Sequence, residues 1–352
     1  MTRPKVLLDP HWRRMAELFS PTVLTDLKDK CDLIWGKDEP MPRDQFTEAL
    51  RDAEVLVTTA PEISQAVLDG APDLQLVVEV EGAFPGSIDY AACAARNVEV
   101  LSCAPGFRQS VAEMGLAMAL AGARGLVAEH DAMRTGQEHW LEDHAGRDFT
   151  LFGATVGIVG FGQIAQELAR LLKPFGVRLL AHDPWLPASV AAEYNVKLLS
   201  LDDVMARARC LFVAAVPTTE NRHLLNARNL ALMPKGALLV LLSRAHLVDF
   251  DALIARVDAG DIRAAVDVFP FEPVSADDPV RTNPGLILSP HRAAAVEGGR
   301  QLIGEMIRDD IFAWMTGDPK RRLGVADHKR IAALAGVGDA TQTSSMALDR
   351  QG

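Results

Sequence analysis

Residues 155–184, TVGIVGFGQIAQELARLLKPFGVRLLAHDP, constrain the fold of this chain more than any other stretch. An apolar run, a glycine turn, an amphipathic helix and a second apolar run ending in an acid make one βαβ unit. Such a unit commits the surrounding chain to a parallel sheet with helices on both faces. Gly160, Gly162 and Ala165 fall in a GxGxxA pattern. Gly160 permits the tight turn, Gly162 lets backbone approach a pyrophosphate, and Ala165 lets the helix lie close to its strand. The phosphates then sit on the helix N-terminus, over Gln163 and Ile164. Asp183 closes the next run, where a carboxylate accepts ribose hydroxyl hydrogen bonds. That anion repels a 2′-phosphate, and no arginine follows in Asp183-Pro184-Trp185. The pattern therefore points to a bound dinucleotide, NAD rather than NADP.

The same rhythm runs along most of the chain. Short apolar runs at Val6–Leu8, Glu54–Thr58, Leu74–Val80 and Val98–Leu101 predict one parallel sheet. Runs at Thr155–Val159, Val177–Ala181, Cys210–Ala215, Gly236–Leu242, Arg263–Val268 and Leu286–Leu288 predict a second. Between them an alanine- and leucine-rich stretch predicts one long helix, Val111–Met133, as a strut or a subunit interface. A closing helix, Glu297–Met315, follows the second sheet and is placed to return to the first domain. The expected class is α/β, with two Rossmann-like doubly wound domains, the first of them discontinuous: 1–103 plus 292–352, and 104–291. With 352 residues the chain exceeds what one hydrophobic core usually supports, which agrees with two domains.

Composition excludes several classes. A net charge of −11 argues against a general nucleic-acid face. The four cysteines, Cys31, Cys93, Cys103 and Cys210, lie far apart, which suggests buried thiols in a reducing cytosol, not a zinc site or a disulfide framework. No apolar stretch reads as a signal peptide or a membrane span, so a cytoplasmic protein without a membrane partner is expected. His139 and His144 stand in a loose segment without a helical metal-binding face, and no metal is expected. The small polar tail from about Asp327 reads as a frayed terminus or a docking arm.

Hydride chemistry on an acidic substrate needs a cation to hold and polarise it and a group that exchanges a proton. In open parallel sheets such groups belong at the carboxyl ends of strands. Arg244, Glu272 and His291 each follow an apolar run there. Arg244 is permanently charged and forks onto carboxylates. His291 suits proton exchange near neutral pH. A hydrogen bond from His291 to the Glu272 carboxylate would favour the imidazolium, the acid that reduction needs. Against these stand a surface arginine and a structural histidine.

Read in order, these segments resemble the D-isomer-specific 2-hydroxyacid dehydrogenase family. The likeness runs from about residue 50 to 315, through APGFRQSVAE (104–113), Trp140, TTENRHLLN (218–226), LMPKGALLV (232–240), SRAHLVD (243–249), AAVDVFPFEP (264–273) and LILSPHRA (286–293). The resemblance implies that hydride passes between NAD(H) and a small 2-hydroxy or 2-oxo acid, D-stereospecifically. It implies that Arg244 binds the substrate, His291 is the acid/base and Glu272 its partner. Asp267 is then near the nicotinamide carboxamide, Val216, Pro217 and Thr218 wall the adenosine half, and Ser243 joins the coenzyme site. It further implies a flavodoxin-like substrate domain, and a homodimer with the helix from Val111 at its interface.

Departures from the family pattern fall around the substrate. Arg244 is followed by Ala245-His246 where the family commonly has glycine, and the glycine-rich Gly-x-Gly-x-Asp loop is replaced by Val80-Glu81-Gly82-Ala83-Phe84-Pro85-Gly86. Backbone amides of Gly82, Ala83 and Phe84 remain candidates for a substrate carboxylate. Arg292, beside His291, either binds a second anionic group or points to solvent. Two other functions share the architecture: a non-enzymatic NAD-sensing corepressor-like protein, and a formate- or phosphite-type dehydrogenase. The Glu272 and His291 pairing favours the hydroxy acid.

Overall fold

The computed structural model describes residues 3–59, 61–142, 146–327 and 331. His144 and most of the polar tail lie outside them. The chain divides into two compact units, one comprising the chain up to Arg108 and from Ala294 onward, the other Gln109–Ala293.

Unit 1 carries β1 (Lys5–Asp9), β2 (Asp32–Trp35), β3 (Val55–Thr58), β4 (Leu76–Glu79) and β5 (Glu99–Ser102). Unit 2 carries β6 (Thr155–Val159), β7 (Arg178–His182), β8 (Lys197–Leu198), β9 (Cys210–Val213), β10 (Leu238–Leu241), β11 (Arg263–Val266) and β12 (Leu286–Leu288). A short β13 (Gly324–Val325) returns to unit 1 and pairs antiparallel with β5. The sheet orders are β13-β5-β4-β3-β1-β2 and β12-β11-β10-β9-β6-β7-β8. β9 and β10 are buried and apolar at every position, because helices leave neither face to water.

In unit 2 the order reverses between β6 and β9, and ligands of such sheets bind beyond the strand ends at that reversal. Val159 pairs with Val213 there, so the glycine turn after β6 opens directly onto the reversal.

Several elements differ from expectation, the short β13 among them. β2 was not foreseen, since it is a four-residue edge strand with half-buried side chains and shows no clean alternation. β8 is two residues long and equally silent in the sequence. The expected single helix Val111–Met133 is two, Arg108–Ala123 and Leu126–Thr135, bent by 58°. Gly125 takes the left-handed backbone at the break, φ 61°, a conformation glycine adopts without steric cost. Gly115 and Gly122 on the first helix face Leu242 and Leu238 so closely that a Cβ would overlap them. That helix is thus committed to its own sheet. Among the described residues no single helix is long and apolar enough to cross a membrane.

Candidate active site

The glycine turn is built as a cradle. Gly160 has φ 82°, and a Cβ on it would lie 2.2 Å from the Ala215 Cα and 2.5 Å from its nitrogen. Gly162 differs: a Cβ there would meet nothing within 4 Å. It is the N-cap of helix Gln163–Leu172 and offers no side-chain cap, so the first-turn amides, including those of Gln163 and Ile164, face open space. Open volume over uncapped amides is what a pyrophosphate requires, and the residues fit the group.

Asp183 stands one residue past β7. Its Oδ2 accepts from the Phe161 amide at 2.8 Å and its Oδ1 from the Trp185 amide at 3.0 Å. Each oxygen keeps a lone pair for a ribose hydroxyl. Across the reversal, the Asn221 side chain clamps the loop at Val216, Pro217 and Thr218, accepting from the Thr218 amide at 2.7 Å and donating to the Val216 carbonyl at 2.9 Å. His246 Nε2 donates to the Thr218 carbonyl at 2.8 Å. Ser243 is buried and donates to the Val213 carbonyl at 3.2 Å. Neither Asn221 nor His246 was foreseen, because both act on backbone carbonyls and amides rather than on a ligand.

Glu272 and His291 form a close pair, with His291 Nδ1 donating to Glu272 Oε2 at 2.6 Å. The other oxygen of Glu272 accepts from the Phe269 amide at 2.8 Å. Burial alone would raise the Glu272 carboxyl, but the His291 bond and charge, the Phe269 amide and the Arg244 charge outweigh it and hold it below the usual carboxylate range. With Nδ1 engaged, Nε2 is the nitrogen left to a substrate. Arg244 donates from Nη1 to the Ser243 carbonyl at 2.8 Å. Burial lowers its pKa, opposed in part by the charges of Glu272 and Asp267, and a guanidinium remains charged there. Of the three residues, His291 and Glu272 are in direct contact, and the Glu272 charge acts on Arg244.

Asp267 is 1% exposed and spends its carboxylate on protein donors, namely the Ser289 hydroxyl, the Arg292 amide at 3.0 Å and the Ala293 amide at 3.2 Å. The His291 amide donates to its backbone carbonyl at 2.7 Å. These bonds hold His291 in the left-handed region, φ 48°, where residues other than glycine are uncommon. The Arg292 side chain is exposed.

In unit 1 the loop after β4 departs from expectation. The Ala83 amide, one of the three donors expected for a substrate, is taken by Glu79 Oε2 at 2.7 Å. The Gly82 amide also faces the Glu79 carboxyl and favours its charged form, which leaves Phe84.

Residues 116–293 match the family model described as D-isomer specific 2-hydroxyacid dehydrogenase, NAD binding domain. The chain belongs to the D-isomer specific 2-hydroxyacid dehydrogenases. NAD is thus the cofactor of this domain. A phosphoglycerate oxidoreductase from Rhizobium etli has a similar structure, with a TM-score of 0.81 and 34% identity, covering 93% of this chain and 99% of that one. The D-3-phosphoglycerate dehydrogenase of Mycobacterium tuberculosis is 31% identical over 322 residues, 90% of this chain. The chain spans only 58% of that relative's length. The glyoxylate reductase of Pyrococcus horikoshii is 27% identical over 293 residues, 81% of this chain and 86% of the reductase.

Proposed function

We propose that this chain is an NAD-dependent dehydrogenase that interconverts a small 2-oxo acid and its D-2-hydroxy acid. The observation that carries the reading is the 2.6 Å pair of His291 and Glu272, electrostatically coupled to Arg244 at the ends of neighbouring strands. When bound, NADH supplies the hydride. Arg244 forks onto the substrate carboxylate and polarises the carbonyl oxygen. His291 delivers a proton from Nε2 to that oxygen, and Glu272, bonded at Nδ1, fixes the ring and stabilises its cationic form. In the oxidative direction the same nitrogen takes the proton back.

Unit 2 is the coenzyme domain in this reading. Gly160, Gly162, Gln163 and Ile164 seat the pyrophosphate, Asp183 the ribose, and Val216, Pro217 and Thr218 the adenosine half. Ser243 lines the nicotinamide end, and Asp267 acts there through the turn it pins. Unit 1 is the substrate domain, with Phe84 as the donor its loop retains. A homodimer is supported by apolar side chains left exposed on unit 2, Leu126, Met133, Trp140, Leu141 and Phe152. Leu126 and Met133 among them support an interface at the second of the two helices. Four buried, unpaired cysteines support a reducing compartment, the cytoplasm.

The test is a panel of pyruvate, glyoxylate, hydroxypyruvate and phenylpyruvate assayed with NADH by absorbance loss, with His291→Ala alongside. The expected result is turnover of at least one acid, abolished in His291→Ala with NADH affinity retained. Tight NADH binding without turnover of any member would assign a sensor instead. Loss of NADH binding in the variant would make the histidine structural.

A further inference from the structure

Unit 1 buries a carboxyl group that the proposed reaction does not use. Glu79 is the last residue of β4, flanked in the sheet by Thr58 and Ser102, and is 2% exposed. Its Oε1 accepts from the Glu81 amide and its Oε2 from the Ala83 amide, each at 2.7 Å, with the Gly82 amide also engaged. Burial pushes the carboxyl up to about 8 against the pull of those amides, and the charge of Glu81 adds to the rise. Tyr90 and Cys103 are the other titratable groups that feel it. Burying a carboxyl costs several kcal/mol unless its oxygens find donors, so the site is built around the three amides. The rest of the loop is braced from outside. Arg13 grips the Glu81 carboxylate with two bonds, 2.8 and 2.7 Å. The Phe84 ring lies edge-on to Tyr90, with centroids 6.4 Å apart, and the Tyr90 hydroxyl donates to the Pro85 carbonyl at 2.9 Å.

We propose that Glu79 is the positioning residue of the substrate loop: it turns the amides of Glu81, Gly82 and Ala83 inward and leaves the Phe84 amide to meet a substrate carboxylate. This rests on the reading of the chain as a 2-oxo acid reductase. In a loop of the glycine-rich kind several amides face the ligand together. Here the protein's own carboxyl has taken that place for three of them, and the grip on substrate in unit 1 depends on how firmly Glu79 holds the turn.

Glu79→Gln tests it. The amide oxygen replaces one acceptor, while the NH2 group faces a second N–H and cannot accept from it. Hydrogen–deuterium exchange resolved to single amides should show residues 81–83 slow and Phe84 fast in the wild type, with 81–83 at least tenfold faster in the variant. The KM for the 2-oxo acid should rise about tenfold, with kcat within threefold and the NADH Kd within twofold. An unchanged KM, a fall in kcat alone, or unaltered exchange would overturn the proposal. Should the variant not fold, fast exchange at 81–83 in the wild type would overturn it and slow exchange would uphold it. A wild type that reduces no 2-oxo acid would refute the reading of function, and the exchange comparison would still decide whether Glu79 sets the loop.

Discussion

Gly160 and Gly162 serve different ends, one a tight turn and the other open space, and replacing each with alanine separates the two. In Gly160→Ala the new Cβ lies 2.2 Å from the Ala215 Cα and 2.6 Å from its Cβ, both attached to backbone that cannot swing aside. Ordinary contact needs more than 1 Å of extra room, which parts β6 from β9 where the Ala214 amide bonds the Val159 carbonyl at 2.9 Å. Overpacking of this kind costs about 1–3 kcal/mol. Holding alanine at φ 82° adds about 1–2 kcal/mol. The sum, about 2–5 kcal/mol, corresponds to a fall in Tm of about 4–20 °C for a unit of this size. NADH affinity falls with it, because the displaced turn carries the first-turn amides. Gly162→Ala meets nothing within 4 Å and keeps an ordinary backbone, φ −74°, so its Tm should stay within about 2 °C. Its methyl nevertheless fills the space reserved for phosphate, and NADH affinity should drop at least tenfold. Thermal melts paired with NADH fluorescence titrations read both quantities. A Gly160→Ala protein with wild-type melting, or a Gly162→Ala protein with wild-type affinity, would refute the reasoning.

The remaining predictions concern the charged groups. Glu272 is held below its ordinary value of 4.5, so its carboxylate contributes stability that is present above that value and lost as pH falls through the depressed one. At neutral pH it is ionised and accepts from His291 Nδ1. Glu272→Gln removes a charge-assisted bond worth about 1.5–3 kcal/mol, and the alkaline limb of kcat/KM for reduction should move down by about one to two pH units; a profile that does not move contradicts the pairing. Asp183→Ala should raise the KM for NADH about tenfold and that for NADPH much less, with some loss of Tm from the freed Phe161 and Trp185 amides. Equal effects on both coenzymes would mean the carboxylate only shapes the turn.

What could be read from the sequence was whatever repeats a local rule. The glycine turn, Asp183, and the trio Arg244, Glu272 and His291 were legible because each follows an apolar run at a strand end. The double-wound rhythm was legible because parallel strands are apolar throughout. The break at Gly125 was hidden, since an alanine-rich pattern runs through it and only the backbone angle marks the bend. Asn221 and His246 stayed silent because their partners are backbone groups brought close by the fold. Glu79 is the clearest case. In the sequence it is one acid beside another, whereas in the fold Glu81 is tied to Arg13 and Glu79 is sealed beneath the loop. Burial, which distinguishes them, is not a local property.

Arg244, Glu272 and His291 follow β10, β11 and β12, three adjacent strands of a single sheet. Their spacing is therefore set within one unit, the same one that carries the glycine turn. A chain built this way can exchange or reshape the loops of its other unit without disturbing the arrangement of these three side chains. Selectivity can drift in such a protein while the reaction it performs is inherited unchanged.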